Sequence, residues 1–114
     1  MSVTVLTDKT LQSFVDANPI AVIRFHAPWC GACKMFGPVF DSVAGQVQGI
    51  SFAEINTDQQ PVSSQYFRIQ ALPTTIIVKE GRVVDQHSGS MDPNRFANWL
   101  AKHITPQQQP QRGA

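Results

Sequence analysis

Two cysteines three residues apart, in Trp29-Cys30-Gly31-Ala32-Cys33-Lys34, constrain this chain more than any other feature. They follow a nearly unbroken apolar run, Ile20 to Phe25, interrupted only by Arg24. They precede a stripe of Phe36, Val39, Phe40, Val43 and Val47. An apolar, partly β-branched run suits a central strand covered on both faces. Apolar residues at steps of three and four mark a helix. The pair therefore sits where a buried strand turns into a helix. Unpaired amides and the positive end of the dipole favour an anion at a helix N-terminus, so a thiolate at Cys30 is stabilised there. Cys33, one turn inside, is placed to attack a mixed disulfide formed at Cys30.

The rest of the chain alternates strands and helices. Val3 to Leu6 reads as an edge strand, and Thr7-Asp8 offers an N-cap to a helix carrying Leu11, Phe14 and Val15. Asn18-Pro19 ends that helix, because proline disfavours the helical conformation in the residue before it. Pro38 falls inside the helix after the cysteines and is expected to kink it. Ile50 to Ile55 reads as a strand, and Asp58-Gln59-Gln60-Pro61 as the start of a short helix running to about Phe67. Thr74 to Val78, the turn Lys79-Glu80-Gly81-Arg82 and Val83-Val84 form a hairpin. Asp92-Pro93 caps a last helix with Phe96, Trp99, Leu100 and Ile104. The order β-α-β-α-β-α-β-β-α implies an α/β fold: a central mixed sheet with helices on both faces.

With 114 residues, 42% of them hydrophobic, the chain fits one domain, assigned to residues 1–104. Residues 105–114, rich in Gln and Pro, are expected to be a disordered tail without function. Nine Lys and Arg against eight Asp and Glu leave a net charge of +1, which excludes the strongly basic face of a nucleic-acid binder. No apolar run approaches the roughly 20 residues needed to span a bilayer, so no membrane association is expected. The first eight residues have no cationic start followed by an apolar stretch, so no secretory signal is expected. Two cysteines make no disulfide framework, and the expected setting is a reducing one, the cytoplasm.

Other readings of the pair remain open. A structural zinc site needs four ligands, with only His26, His87 and His103 available beside the cysteines. A disulfide staple requires an oxidising compartment. Two inert core thiols would also be compatible with the spacing, although Gly31 and Ala32 read as an exposed loop that a partner approaches closely.

The motif resembles the thioredoxin family, whose usual form is Trp-Cys-Gly-Pro-Cys-Lys. Phe25 and Ala27, Phe36-Gly37-Pro38, Asn56, Asp58-Gln59, Leu72-Pro73-Thr74, Lys79-Glu80-Gly81 and Gly89 extend the resemblance from about Val3 to Ile104. The resemblance implies a thioredoxin fold and a thiol-disulfide oxidoreductase that reduces protein disulfides. Cys30 would be the attacking nucleophile and Cys33 the resolving cysteine. Leu72-Pro73 would carry a cis peptide. The Leu72 backbone would pair with an extended substrate strand, flanked by Trp29 and Ser88-Gly89. It implies no bound organic cofactor, a redox-active Cys30-Cys33 disulfide, disulfide-containing protein substrates and an NADPH-dependent thioredoxin reductase as electron donor; a monomer is expected. The alternatives are an oxidant or isomerase of the same family, or a protein that only docks a partner or holds a metal or iron-sulfur cluster.

The sequence departs from the family pattern in three places. Ala32 replaces the proline between the cysteines. His26 stands where a second tryptophan is common. Arg24 stands where the family usually buries an aspartate, and Glu54 where it tends to have a lysine, so the acid-base pair is present with its charges exchanged. Arginine cannot accept a proton. Either Arg24 pairs with Glu54 under the site and favours the Cys33 thiolate, leaving Glu54 or His26 to take the proton, or it extends to solvent along its stem.

Overall fold

A computed structural model describes residues 2–104; the expected tail, 105–114, lies outside them. The elements are β1 (Val3–Val5), α1 (Leu11–Ala17), β2 (Ile20–His26), α2 (Gly31–Ala44), β3 (Ser51–Asn56), α3 (Pro61–Tyr66), β4 (Thr74–Lys79), β5 (Arg82–Ser88) and α4 (Pro93–Ala101). The sheet order is β1-β3-β2-β4-β5. β3 pairs in parallel with both β1 and β2, while β4 runs antiparallel to β2 and β5 antiparallel to β4. Parallel neighbours need a crossover and antiparallel ones only a tight turn. This is why α2 lies between β2 and β3 while the tight turn Glu80-Gly81 joins β4 to β5.

Strand alternation divides the core in two. Val22, Phe52 and Ile77 face Phe36, Phe40 and Val43 of α2 and Phe96 and Leu100 of α4. Ala21, Ile23, Phe25, Ala53 and Ile55 point the other way, against Leu11, Phe14 and Val15 of α1 and Phe67 after α3. A strand buried on both faces has no side free for polar residues, which accounts for the apolar run of β2. On the α2–α4 side the aromatic rings lock together. Phe96 stacks on Phe40 at 5.5 Å between centroids and meets Phe36 edge-on at 5.1 Å.

Several local expectations are corrected by longer-range contacts. Thr7-Asp8 does not cap α1, whose N-cap is Thr10. Asp8 instead reaches α3, accepting from the Ser63 amide at 2.8 Å, the Ser63 hydroxyl at 2.6 Å and the Val62 amide at 3.3 Å. The Asp8 amide in turn donates to Gln60 Oε1. Asp8 thus caps α3 from a distant part of the chain, 52 residues before Gln60, so Asp58 is not the start signal of α3. α2 ends at Ala44, with Pro38 inside it as expected. Val47 and Ile104 lie beyond their helices, yet both remain in the core.

Two measurements follow from the packing. Phe96→Ala should destabilise the fold by about 3–5 kcal/mol, read as a lower urea midpoint with an unchanged slope. Bonding to the Ser63 hydroxyl above all, and to the amides of Ser63 and Val62, outweighs desolvation and holds the Asp8 carboxyl below its ordinary value. A carboxyl lowered on folding contributes stability above its unfolded pKa and loses it as pH falls through the folded one. Asp8→Asn should therefore lower the thermal midpoint at neutral pH and leave it closer to the parent's in acid.

Candidate active site

β2 ends at His26 and the chain turns through Ala27-Pro28-Trp29 into α2, with Cys30 as the N-cap. Cys30 has an extended backbone, and its sulfur accepts the Cys33 amide at 3.1 Å. The sulfur thus takes the place that a serine or aspartate side chain usually fills at a helix start. Cys30 and Cys33 form a disulfide, and only 6% and 3% of their surfaces are exposed. Gly31, between them, meets nothing on its open side, and Ala32 is half-buried.

Strand register gathers the other expected residues at this end of the sheet. His26 of β2 is level with Asn56 of β3, and Phe25 is level with Thr74 of β4. Thr74 is in turn level with Ser88 of β5. The Leu72–Pro73 peptide is cis. The Pro73 carbonyl accepts the amide of Gly89, whose φ of +105° suits glycine, at 2.7 Å. Leu72 packs its side chain into the α1–α3 side of the core. Among the described residues its amide and carbonyl form no hydrogen bond. Trp29 is exposed.

What holds Trp29 was not singled out from the sequence. Its indole N–H donates to the Asp58 carboxylate, at 3.0 Å to Oδ2 and 3.3 Å to Oδ1. Asn56 Oδ1 accepts the amides of Asp58 and Gln59, a side-chain turn that fixes where Asp58 points. The Asn-x-Asp spacing directly after a strand was the available signal.

Between β2 and α2, Arg24 is 95% buried, as its 5% exposure shows, which overturns the solvent-extended alternative. Its Nη2 lies 2.9 Å from Glu54 Oε1, the residue level with it on β3. Its guanidinium sits 5.4 Å over the Phe40 ring, and both Nη atoms are 3.9 Å from where a Gly37 Cβ would stand. A side chain at Gly37 would meet the cation at ordinary contact distance. Thr75 of β4 is level with Arg24 on its other side. Arg24 Nε and Thr75 Oγ1 are both buried and, among the described residues, have no hydrogen-bond partner. The second Glu54 oxygen is 3.7 Å from His26 Nε2. Partial burial moves the His26 imidazole below its ordinary range and the Arg24 charge pushes the same way, while Glu54 opposes both.

His103 is paired with Asp85 at 2.7 Å, and the His87 ring lies against Trp99. Among the described residues no group of three or more His, Cys, Asp and Glu is placed to hold a metal ion. No described helix is long and apolar enough to cross a membrane.

Replacing Glu54 with leucine would strand a buried guanidinium, at a cost of about 3 kcal/mol. Replacing both partners, Arg24→Met with Glu54→Leu, should recover most of that loss. Urea unfolding of the two single variants and the double variant measures the coupling.

A family model described as thioredoxin matches residues 2–102. Thioredoxin 2 of Chlorobaculum tepidum is 37% identical over 100 residues, covering 86% of this chain and 92% of that protein. Thioredoxin 1 of Nostoc sp. is 36% identical over 101 residues, covering 87% and 94%. The crystal structure of Malassezia sympodialis thioredoxin superposes with a TM-score of 0.79 at 30% identity, covering 89% of this chain and 90% of that one.

Proposed function

This chain belongs to the thioredoxin family and is a thiol-disulfide oxidoreductase that reduces disulfides; on that premise we propose how its residues divide the reaction. The observation that carries the assignment is the Cys30–Cys33 disulfide at the N-terminus of α2, at the same end of the sheet as the cis Leu72–Pro73 edge.

In the reduced protein, the Cys30 thiolate attacks one sulfur of a substrate disulfide. One substrate thiolate leaves, and a mixed disulfide joins Cys30 to the other sulfur. Cys33 loses its proton and attacks Cys30 Sγ. The second substrate thiol is released, and two electrons have passed from the cysteine pair to the substrate. An extended segment of the substrate lies along Leu72 and Pro73, bonded through the free Leu72 backbone, with Trp29 and Ser88-Gly89 as its flanks. Asp58 keeps Trp29 in place for that contact. Arg24, Glu54, His26 and Ala32 tune the pair: Arg24 favours the Cys33 thiolate, and Ala32 leaves the first turn of α2 freer than proline would.

The substrates are disulfide-containing proteins and the electron donor is a thioredoxin reductase drawing on NADPH. The cysteine pair carries the electrons, so no organic cofactor has to be bound. The protein works as a monomer in the reducing setting of the cytoplasm, and neither nucleic acid nor membrane takes part. Residues 1–104 form the working domain. Partner choice rests on the local surface at Trp29, Leu72 and Ser88, because a net charge of +1 steers weakly.

Cys33→Ser should trap a covalent complex with a disulfide substrate such as insulin, at one substrate chain per molecule by mass spectrometry. Cys30→Ser should trap none and should lose insulin reduction by at least about a thousandfold. Trapping at Cys33 in the Cys30→Ser variant, in place of trapping at Cys30, would reverse the roles.

A further inference from the structure

Resting on the disulfide-reducing role of Cys30 and Cys33, we infer that the groove between β5 and α4 is a subsite for an acidic segment of the substrate protein. The groove is lined by His87 of β5, Met91 ahead of α4, Arg95, Asn98 and Trp99 of α4, and Lys102 just after it. Met91 and Trp99 are buried and His87 is half-buried against Trp99, so the side chains open to a ligand are chiefly Arg95, Asn98 and Lys102. Among the described residues no carboxylate lines it.

The fold does not account for both cations. Among the described residues, Arg95 and Lys102 take part in no ion pair. Lys102 suits the negative end of α4, but Arg95 stands in its first turn, where the positive end of the dipole disfavours a cation. Only the Arg95 amide is used there, by the Asp92 cap. The next recess along shares Lys102 and adds Lys79 and His103, so the cationic character continues. The nearby acids are engaged: Asp92 caps α4, and Asp85 pairs with His103 at 2.7 Å. With a net charge of +1 on the whole chain, this asymmetry is local.

Position identifies the occupant. His87 directly precedes Ser88-Gly89, and the Gly89 amide is bonded to the Pro73 carbonyl at 2.7 Å. The groove therefore opens beside the edge assigned to the substrate's reactive segment and leads away from it along α4. Arg95 and Lys102 are seven residues apart on one helix face, a rise of about 10 Å. An extended chain covers that length in about three residues, so closely spaced acidic side chains reach both cations. Exposed pairs of this kind each contribute little and are screened by salt. Their effect is selection among substrates rather than tight binding.

Matched disulfide peptides test this. Each carries four glutamates or four glutamines beside its reactive cysteine, N-terminal in one pair and C-terminal in the other. At low salt, the parent's kcat/KM should favour the glutamate peptide by about three- to tenfold in one of the two placements. Salt at about 1 M, where the screening length is about 3 Å, should bring that ratio close to one. Arg95→Gln combined with Lys102→Gln should do the same at low salt, through KM. Lys9→Gln combined with Arg68→Gln removes as much charge outside the groove and should keep the preference. A ratio near one in the parent for both placements, or equal loss in the two double variants, would overturn the subsite. Failure of the parent to reduce the glutamine peptides would instead overturn the reading of Cys30 and Cys33.

Discussion

A guanidinium buried between β2 and α2 is the constraint to which this site is fitted. An isolated charge in a protein interior is very costly, and each neighbour of Arg24 meets part of that cost. Glu54 supplies the opposite charge from the adjacent strand. Phe40 presents its ring face, and the helix surface at Gly37 lies against the cation. Parallel pairing of β2 with β3 puts Arg24 and Glu54 at one level, so the ion pair follows from sheet register rather than from loop geometry. The same register carries His26 one step farther toward the cysteines.

The chemistry depends on the end of the sheet being crowded in a specific way. The Cys30 sulfur caps α2, which sets the attacking atom at the positive end of a helix dipole. The β4–β5 hairpin brings the cis proline and Gly89 to the same end. The Asn56 turn places Asp58 under the indole of Trp29. The cysteines open α2, and Trp29, Asp58, Leu72–Pro73 and Gly89 lie in the turns at one end of the sheet, held by the strands beneath them. The core elements beneath them, Phe36, Phe40 and Phe96 above all, keep α2 fixed against that sheet.

Much of this was legible in the sequence because it is local. The apolar run of β2, the helical stripe after Cys33 and the Asp92-Pro93 start of α4 each announce themselves within a few residues, and Asp92 does cap α4 through the Arg95 amide. The exchanged charges at Arg24 and Glu54 suggested a pair, but only register could show that they meet and that Arg24 is closed off from solvent. What stayed hidden is long-range. Asp8 looks like the cap of the helix that follows it and instead caps α3, across 55 residues. Asp58 looks like a helix start and instead anchors Trp29, across 29. Val47 and Ile104 continue an apolar stripe after their helices have ended, because burial persists where helical hydrogen bonding does not.

The central claim is that the buried Arg24–Glu54 pair acts electrostatically on Cys33 rather than only filling space. Its most direct test is the thiolate absorbance of Cys33 near 240 nm across pH in the reduced Cys30→Ser protein, where Cys33 is the one thiol left to titrate. The titration is repeated with Arg24→Met and Glu54→Leu combined. The account predicts that removing both charges moves the Cys33 titration to higher pH, with the fold retained. An unchanged titration in a folded double variant would contradict it and leave Arg24 a packing residue.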